Sequence, residues 1–355
     1  RPVDVAHANP DGMSAPDACF LIHISEATIL DNLRHRFKAN SIYTYTGSIL
    51  IAVNPFQLLP VYGTDKMEPY PNKPLGIAEP HAYAMAEEAY KTYVRSKGSQ
   101  SLVVSGESGS GKTETNKHLM QYIAWRTRSE MVGDDLAGAI LKVNPILESF
   151  GNAKTSRNNN SSRFGKFVKV GLSEKGRVLG AITRQYLLEK SRIPFQSKGE
   201  RTYHVFYQVM ASPHQKALGL GDGPAKFWYM SQSGTYTADG IDDKEWFANT
   251  TSSLGSIGLD ADRTMQLYKL IAGVLHLGNV CFDGGDDADS SVGAASAATL
   301  AAAEELLGLR GLARDLTIHE VQAGGGRAQA GSRAPTSGAG VVKHERDATS
   351  FGLFS

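Results

Sequence analysis

Gly106-Glu107-Ser108-Gly109-Ser110-Gly111-Lys112-Thr113 is the stretch on which the reading of the fold turns. It fits the pattern G-x-x-x-x-G-K-[ST], in which glycines let the backbone curl so that successive N–H groups point at phosphate oxygens. In that pattern Lys112 reaches the β- and γ-oxygens, and Thr113 offers its hydroxyl to Mg²⁺. The flanks strengthen the match. Upstream, Ser101-Leu102-Val103-Val104-Ser105 is a short apolar run that reads as a buried strand. Downstream, Thr115 to Trp125 sets Leu119, Met120 and Ile123 on one helical face with Tyr122 beside them. A strand, a glycine-rich turn and a helix N-terminus in that order make an anion site, because first-turn N–H groups and the helix dipole both favour negative charge. The competing reading is a flexible Gly/Ser turn, and the ordered flanks weigh against it.

The chain has 355 residues, enough for two domains or for one large domain with inserted subdomains. With 41% hydrophobic and 21% charged residues, the composition is that of a soluble globular protein. A net charge of +1 gives no global field to attract nucleic acid or an anionic membrane. Cys19 and Cys281 lie far apart, form no metal-ligand cluster and fit a reduced compartment. No apolar run is long enough to span a bilayer, and the first residues carry no signal-peptide pattern.

Along the chain, residues 1–18 read as a loose lead-in. Ile29, Leu30, Leu33 and Phe37 recur at helical spacing behind Ser25, a plausible N-cap. Ile42–Tyr45 and Ser48–Val53, separated by Thr46-Gly47, predict a hairpin. Residues 57–80, carrying Pro60, Pro69, Pro71, Pro74 and Pro80, predict an irregular surface loop, and helix resumes over His81–Tyr93. Arg126–Asp135 is polar and reads as a loop. Gly151 to Lys166 is dense in hydroxyls and amides, which suits either a solvated loop or one that wraps a ligand. Strands are expected at Phe167–Val170 and Val178–Leu187, joined through a turn at Ser173–Gly176, and a helix at Tyr203–Met210. A periodic helix spans about Asp262 to Leu277, with Leu267, Leu270, Ile271, Val274 and Leu275 on one stripe. Residues 283–298 read as a disordered insert, Ala298–Leu307 as a last helix, and 322–340 as a glycine-rich tract of low complexity.

Taken in order, the motifs resemble those of a myosin motor domain. Asn54-Pro55-Phe56 with Tyr62 resembles the purine-binding loop, and Gly106 to Thr113, continuing Glu114-Thr115, the phosphate loop. Asn158 to Lys166, reading NNNSSRFGK, resembles switch I. Leu187 to Gln196, LLEKSRIPFQ, is similar to a strand-to-loop signature, and Leu275 to Asn279, LHLGN, to a helix end of the upper subdomain. The resemblance covers roughly residues 20–320 and implies an α/β protein, a P-loop NTPase core with a mixed central sheet and a mainly helical upper subdomain. It implies a core over 19–187, an upper subdomain over 188–321, and a glycine-rich end over 322–355.

The same resemblance implies ATP and Mg²⁺ as ligands. Gly106, Glu107, Ser108, Gly109, Ser110, Gly111, Lys112, Thr113 and Glu114 would hold the nucleotide together with Asn54, Pro55, Tyr62 and Asn158. Thr113 and Ser162 would ligate the metal, whose hardness suits oxygen. Lys112, Asn158, Ser161 and Arg163 would carry the chemistry: Asn158 on the phosphate bridge, Ser161 over the γ-phosphate and its attacking water, and Arg163 paired with a switch II glutamate. Leu58 stands in the purine loop where many relatives carry a basic residue. Actin filaments are the implied partner, with light chains or calmodulin through a C-terminal region outside these residues, no nucleic acid and no membrane insertion; the implied setting is the cytoplasmic cytoskeleton.

Switch II, two strands that would flank 101–105, the relay helix and the converter are not found in the 355 residues. This predicts an incomplete central sheet, an Arg163 without its carboxylate, and a chain that is unstable and inactive alone. Three other readings compete. A kinesin shares Ser-Ser-Arg but continues Ser-His, whereas Phe164-Gly165-Lys166 follows here. A small-molecule kinase would need an arginine lid. A nucleotide-binding chain without ATPase or motor activity remains the alternative function.

Overall fold

The computed structural model describes residues 9–128, 142–284, 290–323 and 326–330, with 319–323 and 326–330 described as backbone only. Two compact units divide the chain, residues 1–141 with 168–183 and residues 142–167 with 184–355. The expected boundary near 187 is therefore replaced by an exchange of segments, and the switch-like stretch 158–166 falls in the second unit.

The first unit begins with local signals that the sequence carries plainly. Helix α1 (Glu26–Lys38) is capped by Ser25, whose hydroxyl accepts from the Thr28 N–H while the Thr28 hydroxyl accepts from the Ser25 N–H. Strands β1 (Tyr43–Thr46) and β2 (Ile49–Ala52) pair antiparallel, Tyr43 opposite Ala52 and Thr46 opposite Ile49, around Gly47 at φ 60°. The lead-in is not loose over its described part. Asn9 exchanges two hydrogen bonds with His23, and Asn32 holds both backbone groups of Ala15 at 2.7 and 3.0 Å. Polar side chains with backbone partners tie down a segment that has no apolar period to announce it.

The proline-rich stretch is irregular apart from helix α2 (Thr64–Met67), yet it is more than surface. Met67, Tyr70 and Ala78 are buried among Tyr43, Tyr45, Tyr83 and Tyr122. Helices α3 (Ala82–Ser96) and α4 (Lys112–Arg126) pack together, α3 supplying Tyr83 and Ala86 and α4 Leu119 and Tyr122. Glu87 is buried between them. Its carboxylate accepts from Tyr122 Oη at 2.9 Å, Arg126 Nε at 3.0 Å and the Asn72 N–H at 2.9 Å, so the buried charge is met by three donors.

Strands β3 (Gly165–Leu172) and β4 (Val178–Tyr186) form the second expected hairpin, turning through Ser173 and Gly176, the latter at φ 76°. Within the first unit, Tyr93 Oη donates to Leu172 O at 2.7 Å.

Residues 101–105 depart from expectation. They form no strand, and Val103 is 88% exposed. An apolar run becomes a strand only when a neighbour accepts its backbone groups. Among the described residues every sheet is a two-stranded local pair, so none offers this run an edge. The mixed central sheet is accordingly not formed by the described segments.

The second unit is mainly helical. Helices α5 (Asn144–Gly151), α6 (His204–Met210), α7 (Trp228–Ser231), α8 (Asp243–Ser256) and α9 (Ala261–Gly278) surround a core that includes Tyr203, Phe206, Val209, Met230, Tyr268, Ala272 and Leu275. All seven residues of α6 are buried. Its polar Gln208 is satisfied in a triangle, donating to Ser149 Oγ at 2.9 Å and accepting from Thr250 Oγ1 at 3.1 Å, with the two hydroxyls 2.6 Å apart. On α9 the buried stripe is rotated from the expected one. Tyr268, Ile271, Ala272 and Leu275 are buried, while Leu267, Leu270 and Val274 are half-buried. The rotation lets Gly273 meet Leu306 and Leu307 of helix α10 (Ala297–Leu307), where a Cβ would come within 2.6 Å of Leu307.

The expected disordered insert over 283–298 is ordered in its described part. Phe282–Asp283 pairs with Ser291–Val292, and Ser290 and Ser296 are buried, while residues 285–289 lie outside the described ones. The Ser296 hydroxyl accepts from the Cys281 N–H at 2.8 Å, a non-local anchor that composition cannot reveal. Helix α11 (Leu312–Thr317) follows. The glycine-rich tract begins as an antiparallel pair, β5 (His319–Ala323) with β6 (Gly326–Ala330); residues 331–340 are outside the described range.

Candidate nucleotide site

The phosphate-loop candidate belongs to the first unit. Gly109 and Gly111 take φ of 83° and 94°, a region that L side chains rarely adopt, and between them the chain reverses into α4. A Cβ on Gly106 would lie 2.5 Å from Ser110 Oγ, so the loop closes onto the glycine face. Gly111 caps α4 without a side-chain bond, and Gly111 O accepts from the Thr115 N–H at 2.9 Å. First-turn N–H groups are left without intrahelical partners, as at any helix start. Lys112 folds back over the loop, its ammonium donating to Gly106 O and Glu107 O at 2.7 Å each. Gly106, Glu107 and Ser108 are exposed, and Glu114 faces outward to accept from Lys117 at 2.8 Å.

The purine-loop candidates attach to the same place. Asn54 Nδ2 donates to Gly109 O at 2.7 Å, while its Oδ1 accepts from the Phe56 N–H at 2.9 Å, so one side chain pins both loops. Pro55 is half-buried beside it, and Leu58 is fully exposed. Tyr62 bonds Tyr43 Oη at 2.9 Å and stacks on His118 of α4, ring centroids 3.6 Å apart and planes 9° from parallel. His118 carried no sequence expectation; its signal was its place on α4, six residues beyond Lys112. Burial holds its pKa below the ordinary imidazole value.

The switch-like segment belongs to the second unit and is tightly held. Asn158 Oδ1 accepts from the Asn160 N–H at 2.9 Å, and the Asn158 N–H donates to Thr155 Oγ1, a local turn. Ser161–Ser162 pairs with Asn152–Ala153, which buries Ser161 and leaves Ser162 exposed. Asn160 Nδ2 donates to Glu148, and its Oδ1 accepts from Asn152 Nδ2 at 2.9 Å and lies 3.2 Å from His204 Nε2.

The expectation that Arg163 lacks a carboxylate is overturned. Arg163 Nε donates to Glu189 Oε2 at 2.6 Å and Nη1 to Ser161 Oγ at 3.2 Å. Glu189 stands in LLEKSRIPFQ, where the sequence reading assigned no role to it. Burial raises its pKa, but Arg163 and Arg192 more than offset that and hold the carboxyl below the usual range.

His204 is wholly buried, and burial, with the nearby Arg201 guanidinium, pushes its pKa down to about 3. Nδ1 finds no partner, so the network assigns the hydrogen to Nε2, donating to Asn160. The unfolded chain protonates this imidazole near pH 6.5 and the folded chain only near 3, so the unfolded state binds more protons in between. Stability is therefore lost as pH falls from about 6.5, by up to about 1.4 kcal/mol per pH unit for one such group. Urea titrations between pH 7 and 5 are expected to show a shallower slope for His204→Gln than for the wild type; equal slopes would refute the assignment.

Among the described residues no group of His, Cys, Asp or Glu is placed to hold a metal ion, so a divalent cation at this loop would depend on a hydroxyl such as that of Thr113 and on a ligand's own oxygens. The loop fits a polyphosphate: its donor set is an ammonium and helix-start N–H groups, around glycines that let the backbone approach closely. No helix among the described residues is long and apolar enough to cross a membrane.

A glycine-curled loop at the head of a helix, with a lysine over it and an asparagine pinning a second loop to it, is set in a protein of mixed helix and strand. The chain belongs to the myosin head (motor domain) family, whose model matches residues 15–338. It is 45% identical over 298 residues to Myosin-17 of Arabidopsis thaliana, covering 81% of this chain and 19% of that protein. It is 44% identical over 282 residues to Myosin-7 of the same plant, 79% of this chain and 16% of that protein. Unconventional myosin-Va of Homo sapiens is 44% identical over 287 residues, 79% of this chain and 15% of that protein. The chain thus spans 15–20% of the length of the relatives it matches.

Proposed function

We propose that the chain is the ATP-binding part of an actin-based cytoskeletal motor, built on a P-loop NTPase core, in which MgATP hydrolysis is coupled to movement on actin filaments. The observation that carries this reading is the curl of Gly106–Thr113 with the Lys112 ammonium over it. Lys112 would leave its two carbonyl partners for the β- and γ-oxygens, and Gly106 to Glu114 would offer backbone N–H groups. Asn54, Pro55 and Tyr62 would face the base; Leu58 brings no charge to that pocket. Asn158 would bond the phosphate bridge, and Ser161, steadied by Arg163, would orient the attacking water. Thr113 and Ser162 would hold Mg²⁺, which supplies charge neutralisation at the transferred phosphoryl. The cytoplasmic actin cytoskeleton is the setting it implies, with light chains or calmodulin bound elsewhere in the whole protein.

A second reading, nucleotide binding without turnover, is favoured by the solvated course of 101–105 and by the Arg163–Glu189 pair, which leaves Arg163 already satisfied. A fluorescent ATP analogue titrated with and without Mg²⁺, followed by single-turnover phosphate release with and without actin filaments, separates the two. Mg²⁺-dependent binding with release that actin accelerates is expected for the motor reading. Binding without release supports the second, and no binding removes both.

A further inference from the structure

Arg163 and Glu189 are joined twice. Besides the ion pair, the Glu189 N–H donates to Arg163 O at 3.0 Å. Glu189 is fixed from behind, its own carbonyl accepting from Tyr203 Oη at 2.7 Å. The same carboxylate accepts from Arg192 Nε at 2.7 Å, and Arg192, 6% exposed, reaches on to Glu200 Oε2 at 2.9 Å. Glu200 Oε1 in turn accepts from the Ser156 N–H at 3.2 Å. The chain of contacts Arg163–Glu189–Arg192–Glu200–Ser156 therefore closes a ring that starts and ends on the segment 156–163, all within the second unit.

Two cations on one carboxylate, partly buried, make Glu189 the member whose loss opens the ring in two places. Arg163 also donates to Ser161 Oγ, so the orientation of the guanidinium sets which way that hydroxyl can present its hydrogen. Exposed pairs of this kind contribute little, but a partly buried carboxylate shared by two arginines leaves both without a counter-charge when it is neutralised.

We infer that Glu189 is a positioning residue for the 156–163 segment, acting through Arg163 on the Ser161 hydroxyl, while Glu200 holds the segment's other end through Ser156. Glu189 touches no ligand itself; it sets how long the segment stays closed over one. The inference rests on reading 156–163 as the part that closes over the terminal phosphate.

The test combines hydrogen exchange of the whole chain with stopped-flow dissociation of a fluorescent ATP analogue in Mg²⁺. Glu189→Gln is expected to speed amide exchange across 156–163, and analogue dissociation, by roughly 5- to 30-fold, with the association rate little changed. Glu189→Asp, which keeps the charge, should restore most of both. Exchange in the buried helix 204–210 should stay at the wild-type rate, a readout that general loosening would move. If Glu189→Gln loosens that helix too, Glu200→Gln decides: faster exchange confined to residues near Ser156 supports the ring, and none overturns it. Wild-type exchange and dissociation in Glu189→Gln would overturn the inference while leaving nucleotide binding intact. Should the wild-type chain bind no analogue, the nucleotide reading fails, and the exchange arm alone tests the ring.

Discussion

Lys112→Ala is expected to weaken binding of a fluorescent ATP analogue by at least about 100-fold, with almost no change in urea midpoint. The functional effect is large because an ammonium facing triphosphate oxygens makes charge-assisted bonds of about 1.5–3 kcal/mol each, and alanine replaces none of them. The stability effect is small because the two bonds it makes now, to Gly106 O and Glu107 O, are exposed, and water takes over those carbonyls. Lys112→Arg keeps the charge but not the compact ammonium, so its wider fork should recover only part of the affinity. Unchanged affinity in Lys112→Ala would remove the phosphate-loop assignment, whatever the family. A large loss of stability would instead mean that the lysine closes the loop structurally and that its binding role had been misjudged.

What the sequence disclosed follows from how local each feature is. The curl at Gly109 and Gly111 is written in two glycines and a lysine, and the start of α1 in a serine three residues before a threonine. Both hairpins were legible, because their turns carry glycine at positive φ, at Gly47 and Gly176. The run Leu102 to Val104 misled for the opposite reason. Its β-propensity is genuine, but a strand is a pairing, and the partner lies nowhere in the run itself. Helix α8 escaped because Asp243 to Ser256 has no clear apolar period; it starts on Asp242, whose side chain accepts from the N–H groups of Lys244 and Glu245. The stripe on α9 was rotated by glycines at 273 and 278, which read as neutral in periodicity yet admit a neighbouring side chain.

The same distinction runs through the site. Asn54, Lys112 and Asn158 were singled out by motif, since each lies in a short stretch with fixed spacing. Glu189 lay within a quoted motif, with Arg192 three residues on at helical spacing, but nothing local says that its other partner is 26 residues earlier. Asn160 and His204 are further apart still, and a lone histidine in an apolar helix reads as core until its ring is seen 3.2 Å from the amide. Polar residues that hold a loop from a distance are thus the least legible class, because their meaning lies wholly in long-range partners.

Arg201 belongs to that class, and its replacement should give the largest loss of stability in the second unit. It is 0% exposed, and its guanidinium forks onto Asp243, Nη2 to Oδ1 at 2.7 Å and Nη1 to Oδ2 at 3.0 Å. Nη1 also reaches Tyr236 O at 3.3 Å, and the guanidinium carbon sits 3.6 Å from the centre of the Tyr207 ring. Nε has no partner, so the site already carries one unmet donor. The Arg201 N–H donates to Lys154 O, which ties the pair to the backbone leading into 156–163. Arg201→Met keeps the apolar stem and strands the Asp243 carboxylate, for an expected cost of about 3–5 kcal/mol by chemical denaturation. Removing both charges, in Arg201→Met with Asp243→Leu, should recover most of it, because the penalty lies in the unpaired carboxylate and not in the missing attraction. A single substitution costing under about 1 kcal/mol would mean that water reaches Asp243 readily. A double variant as unstable as the single one would place the loss in the Tyr207 packing. The coupling measured between the two sites therefore decides whether this buried charge pair anchors the segment 156–163 or merely fills space behind it.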